Sequence, residues 1–276
     1  MNESTPACDL LVAMQRLQFN RAAKLDSRLF IAQLATLVVA LASLFLPYEH
    51  WASLLGVCSV ALASATLLLL YQSRRKRALA EKARRATVLV GGLGMSLSEG
   101  ELRRLAALAN ATPDEMVKWS DPDYFATKEP PGVKRATDMA EENAFWSYNL
   151  YHASQLTMYL WSLVPAAIAA AGFLLTLSLL PGSTNSQQVK VFSTIASSLI
   201  LLELLTRTAQ YGVAAGETEA VYERLANIRS AGYSKDDLML ALMDYNAAVE
   251  SAPLMAWGVH RRNKERLETL WHQHYK

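Results

Sequence analysis

Long apolar runs alternate with charged segments along the chain. Four runs carry few or no charged residues, and they lie at Leu29–Pro47, Trp51–Tyr71, Met158–Pro181 and Val189–Tyr211. Each is close in length to the roughly 20 residues that an α-helix needs to cross a bilayer core. No segment shows the apolar–polar alternation of a strand. The pattern predicts an all-α membrane protein with four transmembrane helices in two hairpins and a helical cytoplasmic domain.

The composition agrees with this prediction. Only 19% of the residues are charged and the mean hydropathy is +0.11, whereas a soluble domain carries about 25% charged residues. The alternative is a soluble bundle with four apolar core helices, which a chain of 276 residues has little room to bury. The first run is too long for a signal peptide and follows a charged segment, so we expect it to remain as an anchor.

Lysine and arginine are distributed unevenly. Of the 27, four lie in residues 1–28, thirteen in 73–157 and ten from 188 onward, and neither short link between paired runs carries one. The positive-inside rule therefore places both termini and the middle segment in the cytoplasm. The predicted division of the chain is an N-terminal amphipathic cytoplasmic helix (1–28), transmembrane hairpin 1 (29–72), a cytoplasmic helical domain (73–157), transmembrane hairpin 2 (158–211) and C-terminal cytoplasmic helices (212–276).

Local signals predict several helix boundaries. Ser98 and Glu101 have capping-box spacing, and Thr112 precedes a proline that suits a first helical position. Ser234 is expected to cap a further helix, while Gly212 and Gly216 are expected to loosen the exit from the fourth run.

The amphipathic segment 9–28 is expected either to lie at the membrane interface or to pack on other cytoplasmic helices. The basic segment 73–88 is predicted to continue the second span as a helix. Its arginines either set the orientation of insertion or bind anionic lipid headgroups; they are Arg74, Arg75, Arg77, Arg84 and Arg85.

No pattern of catalytic or cofactor-binding residues is evident. The "GGLG" stretch at residues 91–94 lacks the lysine and hydroxyl residue of a phosphate-binding loop, and Cys8 and Cys58 have no zinc spacing and suggest no disulfide framework. We therefore predict a protein that is not an enzyme and has no catalytic residues, metal site or cofactor.

Glu203 is a carboxylate well inside the fourth apolar run. Such residues are costly in a bilayer and face a bundle interior or water. One helical face carries the residues that we predict to line a pore in a homo-oligomer: Ser193, Ser197, Ile200, Glu203 and Arg207. Two alternatives remain open, an ion pair of Glu203 with Arg207 at i, i+4 and a protonated Glu203 between helices.

A second cluster follows the fourth run at a distance. It combines aromatic and basic residues that could stack on a base and pair with phosphates, and its members are Trp257, His260, Arg261, Arg262 and Lys264. The alternative is a solvated helix face above a tryptophan in the core.

Three stretches in fixed order carry a resemblance to a family. They are "LLVAMQRLQFNRAAK" near the N-terminus, "DYF" with "ENAFWSYNLYHAS" before the third run, and "APLMAWGVHRRNKERLE" after the fourth. With the two-hairpin layout, they resemble the bacterial S-4TM pore-forming effectors, part of the wider SLATT group. The resemblance covers nearly the whole chain.

The resemblance implies an antiphage effector that permeabilises the bacterial inner membrane under control of a nucleotide signal. It implies a partner nucleotidyltransferase that makes a nucleotide or a short single-stranded DNA ligand, as in Hailong-type guard systems, and a homo-oligomer such as a tetramer in the lipid bilayer. The alternative is a non-conducting membrane adaptor that recruits a soluble partner through residues 73–157.

The predicted orientation can be tested with single cysteines. Cysteines replacing His50 and Asn185 should react in intact cells with a membrane-impermeant thiol reagent, because the two charge-free links face the periplasm. A cysteine replacing Lys134 should react only after the cells are permeabilised. Labelling at Lys134 in intact cells would overturn the orientation.

Overall fold

A computed structural model describes residues 6–45, 48–178 and 184–274 of the chain. It describes no side chain at positions 6, 40–50, 52–53, 55, 168–169, 171–173, 175–201 and 274. The regular secondary structure of the described residues is helical throughout. The elements are α1 (Pro6–Phe45), α2 (Tyr48–Thr87), a π-helical turn (Val88–Gly92), α3 (Glu99–Ala109), α4 (Pro113–Trp119), α5 (Val133–Ser178), α6 (Thr184–Ser230), α7 (Lys235–Ser251) and α8 (Val259–His274). The predicted all-α class is confirmed.

One helical stretch among the described residues, Gly56–Gly92, is long and apolar enough to cross a membrane. Only 6% of its most apolar part is buried within the chain. The other three predicted spans each include residues whose side chains lie outside the described part. Four spans therefore remain a prediction.

The long helices pack in sequential pairs. α1 lies along α2, α5 lies along α6, and α1 also contacts α6. The predicted domain boundaries near residues 72, 157 and 211 all fall inside continuous helices. Each of these helices therefore joins an apolar run to a charged segment without a linker.

The first half of α1 is packed against other helices and does not lie on a surface. Leu11, Met14 and Leu17 are almost fully buried. Gln18 donates a hydrogen bond to the Ala109 carbonyl at 2.8 Å, which occupies an acceptor at the end of α3. Of the two alternatives for this segment, the structure shows the packed helix.

The predicted helix starts are confirmed at three positions. The hydroxyls of Ser98, Thr112 and Ser234 each accept a hydrogen bond from the backbone N–H three residues later. Each bond satisfies an N–H that the first turn of a helix leaves unpaired.

Two glycines allow close approach between helices. A Cβ on Gly92 would lie 2.9 Å from the Ala136 Cα, so the glycine-rich stretch serves the packing of the π-helical turn on α5. A Cβ on Gly212 would lie 2.6 Å from Gln155 Nε2. The expectation that Gly212 loosens the chain is wrong, since α6 continues from Thr184 to Ser230.

The basic end of α2 is used within the chain. Arg84 is buried, donates to Glu81 Oε2 at 2.7 Å, and lies 4.7 Å from the ring centroid of Tyr245. Arg85 pairs with Glu250 of α7 at 3.3 Å. Arg84 is therefore not available to lipid headgroups, contrary to one of the two expectations for this segment.

The loop between α4 and α5 is attached to α5 by two carboxylates. Glu142 Oε2 accepts a hydrogen bond from the Ala126 N–H at 2.9 Å, and Asp138 Oδ2 accepts one from the Thr127 hydroxyl at 3.0 Å. Burial, with a smaller contribution from the Asp138 carboxylate, raises the pKa of Glu142 to about 7 against the opposing effects of the Ala126 N–H and Lys128. The loop attachment therefore depends on a carboxyl group that titrates near neutral pH.

This titration predicts a pH-dependent stability. The folded pKa of Glu142 lies above the unfolded value of 4.5, so its contribution to the free energy of unfolding is fully present below that value. It is lost as the pH rises through about 7, by about 3 kcal/mol in total. Glu142→Gln keeps an acceptor for the Ala126 N–H and should flatten the dependence of Tm on pH in detergent. Glu217→Gln, at an exposed position, is the control, and an unchanged slope in Glu142→Gln would contradict the prediction.

Candidate functional site

Two residues of α1 and two of α6 form a cluster that we call the polar node: Asp26, Gln33, Glu203 and Arg207. Gln33 Nε2 donates a hydrogen bond to Glu203 Oε2 at 2.5 Å. Arg207 donates from Nη2 to Glu203 Oε1 at 3.2 Å and from Nη1 to Asp26 Oδ1 at 3.4 Å. Arg207 therefore bridges two carboxylates and joins the first and fourth long helices.

The members of the polar node differ in exposure. The Arg207 side chain is 12% exposed and that of Asp26 is 22% exposed, whereas that of Glu203 is 44% exposed. Burial raises the pKa of Asp26, and the adjacent Arg207 guanidinium opposes this shift. A cation removed from water needs a charged partner, and Arg207 has two. Glu203 is the most exposed of the three charged members, although both of its carboxylate oxygens accept a hydrogen bond.

The polar node lies where the first and fourth apolar runs adjoin charged segments of the chain. On the neighbouring helix pair, the Ser73 hydroxyl of α2 donates to the Ala22 carbonyl of α1 at 3.3 Å. One turn beyond the node, the Tyr211 hydroxyl donates to the Leu254 carbonyl in the segment between α7 and α8. All these positions lie near the cytoplasmic ends of the predicted spans.

The predicted pore-lining residues are only partly described. The side chains of three of them lie outside the described part: Ser193, Ser197 and Ile200. Arg207 is turned towards α1, and Tyr211 on the same side of α6 is fully buried. Glu203 lies beside the exposed Leu202. The ion pair between Glu203 and Arg207 is present, and pore lining remains a prediction.

The structure brings the predicted ligand-binding residues together at the start of α8. The imidazole of His260 stacks on Trp146 with centroids 5.9 Å apart, and partial burial lowers the pKa of His260, with Lys264 adding to the effect. Lys264 pairs with Glu268 at 3.5 Å. The three remaining residues are exposed: Trp257, Arg261 and Arg262.

A cavity of about 540 Å³ lies between the start of α1 and the loop before α5. Its carboxylates include Asp121 and Asp123, which pair with Arg16 and Lys128. Among the described residues, no group of three or more histidine, cysteine, aspartate or glutamate side chains comes together as a metal site. The cavity therefore offers a mixed-charge lining without an evident ligand class.

Sequence reasoning missed two members of the polar node, Asp26 and Gln33. Gln33 carries the one amide side chain in the first apolar run, and an amide in such a run is a signal for a partner on another helix. Asp26 had no such signal, because it lies in a segment already rich in charges.

Comparison with protein-family models, with curated proteins and with solved structures finds no match to this chain. Within the part of the chain that the structure describes, the class of protein is all-helical, with one stretch long and apolar enough to span a membrane.

A double-variant cycle tests the polar node. Gln33→Leu keeps the side-chain volume but removes the donor to Glu203 Oε2, while Arg207 still donates to Oε1, and it should lower the free energy of unfolding in detergent by about 1.5–3 kcal/mol. Glu203→Leu is measured alone and together with Gln33→Leu, and the loss in the combined variant should be smaller than the sum of the two single losses, because both single variants remove the same hydrogen bond. Thr206→Val, which alters only a bond within α6, is the control. A loss in the combined variant that equals the sum of the two single losses would show that the hydrogen bond contributes nothing.

Proposed function

We propose that this chain is a pore-forming inner-membrane effector of a bacterial antiphage defence system, similar to the S-4TM effectors of the SLATT group. It acts by permeabilising the membrane, and a nucleotide or short single-stranded DNA from a partner nucleotidyltransferase gates it. The observation that carries the proposal is a carboxylate on α6, Glu203, which stays 44% exposed within an apolar helical surface.

Exposed apolar side chains support a membrane location. On α5, Leu156, Leu160, Leu163 and Val164 are each more than half exposed. A continuous exposed apolar surface of this kind needs lipid or another chain to cover it. We propose that all four long helices cross the inner membrane, with both termini in the cytoplasm, as the distribution of Lys and Arg indicates.

Glu203 supports a homo-oligomer. Gln33 and Arg207 donate to its two carboxylate oxygens, yet the side chain is 44% exposed and its exposed side lies next to Leu202. Facing lipid would cost about 2.5–3.5 kcal/mol. Several copies around a water-filled axis would instead surround that side with water and form a ring of carboxylates, which favours cations. A tetramer is the assembly that we propose.

The gating ligand is proposed to act on the cytoplasmic helices. Among the predicted ligand-binding residues, Arg261 is exposed, and its guanidinium could pair with a phosphate of that ligand. α6 runs from this level to the polar node as one helix, so a change at the cytoplasmic end can reach Glu203 directly.

One observation favours the alternative, a membrane adaptor. The outer side of α7 exposes Met239, Leu240 and Met243 beside an apolar cavity of about 140 Å³. The cavity is also lined by Val88 and Leu89, within the segment that the adaptor hypothesis assigns to a soluble partner. An adaptor would bind that partner without conducting ions.

Ion flux from proteoliposomes separates the two functions. Glu203→Gln removes the ring of charge, so it should reduce the preference for cations while leaving assembly intact. Glu203→Leu should reduce ion flux further, because a ring of leucine side chains would exclude water from the narrow part of the pore. The comparison is with Thr206→Val, which should behave as the parent protein. If no condition produces flux from the parent protein, the adaptor becomes the better account.

A further inference from the structure

The segment between α7 and α8 is held at the level of the polar node. Two hydrogen bonds fix it: the Leu254 carbonyl accepts from the Tyr211 hydroxyl, and the Ala256 N–H donates to Ser154 Oγ at 3.1 Å. Tyr211 ends the fourth predicted span, and Ser154 lies one turn before the third. The segment of residues 253–258, which we call the connector, therefore lies beside the predicted cytoplasmic boundary of the membrane.

The connector turns one tryptophan outwards. Trp257 is 73% exposed, whereas its neighbours Ala256 and Val259 are buried. Gly258 has φ +76, a conformation that L side chains rarely adopt and that redirects the chain into α8. The backbone on both sides is therefore fixed, and the indole is held on the surface by this geometry.

An arginine folds back onto the connector. Arg262 Nε lies 3.9 Å from the position that a Cβ on Gly258 would occupy. Within the described residues, neither Arg262 nor Arg261 forms a salt bridge, whereas Lys264 is paired with Glu268 at 3.5 Å. The surface beside Trp257 thus carries positive charge without an acidic partner from the described part of the chain.

We propose that Trp257 and Arg262 form a lipid anchor at the cytoplasmic face of the membrane, with the indole among the headgroups and the guanidinium on the phosphate of an anionic phospholipid. Tryptophan concentrates at membrane interfaces, and each basic residue near an anionic surface contributes to binding. The inference rests on the proposed membrane location and goes beyond it by assigning a lipid site.

Other exposed basic residues also lie at the predicted cytoplasmic boundary of the membrane. Lys24 and Arg28 of α1 and Arg74 and Arg75 of α2 are all exposed. Ala22 and Ser73, which are joined by a hydrogen bond, place these two pairs beside each other. A phosphate of a free nucleotide has the same chemistry, but the position of the connector at this boundary favours the lipid.

The location of Trp257 can be measured with a nitroxide on Trp257→Cys, in the full-length protein with Cys8→Ala and Cys58→Ala, reconstituted into nanodiscs. The nitroxide should collide more often with oxygen, which concentrates in lipid, than with a water-soluble nickel chelate. Met243→Cys is the matched control, since Met243 is 65% exposed but lies near the π-helical turn, far from the boundary. It should show the opposite ratio.

The headgroup contact is tested by lipid retention in native mass spectrometry. With phosphatidylglycerol and phosphatidylcholine in competition, Arg262→Gln should reduce the preference for phosphatidylglycerol about fivefold, the effect of one surface cation. Arg266→Gln, exposed on the same helix but away from the connector, should not.

Three outcomes would overturn the proposal. A label at Trp257 that meets the nickel chelate more often than oxygen excludes an interfacial position, and an unchanged lipid preference in Arg262→Gln excludes the headgroup contact. If, in nanodiscs of phosphatidylcholine alone, the label is protected from the chelate only when an oligonucleotide is added, the phosphate that Arg262 binds belongs to a free nucleotide. A label on Leu163→Cys identifies failure of the membrane location itself, because it would then also be accessible to the chelate.

Discussion

The length of the four long helices is the constraint on which the structure depends. α5 has 46 residues and α6 has 47, so at 1.5 Å per residue each is about 70 Å long, more than twice the thickness of a bilayer core. A single helix of this length has to satisfy two surroundings. On α6, the apolar half exposes residues such as Leu202, and the half beyond the polar node buries residues such as Leu225.

Polar contacts of charged residues hold distant helices together beyond the apolar runs. Arg84 of α2 donates to Asn246 of α7 at 3.0 Å, and Arg229 of α6 lies 3.3 Å from the fully buried Glu141 of α5. Removing one member of a buried pair leaves a charge without compensation, which is costly. These pairs therefore specify how the helices are arranged as well as contributing to stability.

The elements that sequence reasoning predicted well are those with local causes. Ser98, Thr112 and Ser234 mark helix starts because a cap requires only a hydroxyl and an N–H three residues away. The positions that it misjudged depend on residues far along the chain. Gly212 was expected to loosen α6, but its hydrogen leaves space for Gln155, 57 positions earlier in sequence, which no local pattern reveals.

In the candidate site, too, one contact has a local cause and the others depend on distant residues. The pair of Glu203 with Arg207 was predictable because residues four apart meet on a helix. Its links to Gln33 and Asp26 cross 170 and 181 positions of sequence. They could be inferred only from the general rule that a polar group in an apolar run needs a partner, which does not say where that partner lies.

The close contact between Gly212 and Gln155 also limits how α5 and α6 can move. Two helices in such tight contact at one point cannot slide or separate there without losing that packing, so the contact acts as a pivot about which they can tilt. Glu203 lies nine residues from the pivot, about 14 Å along the helix axis. A tilt of about 10° would carry its carboxylate about 2 Å sideways, further than a hydrogen bond to Gln33 can stretch. A small change of angle at the pivot is thereby converted into making or breaking one contact at the polar node.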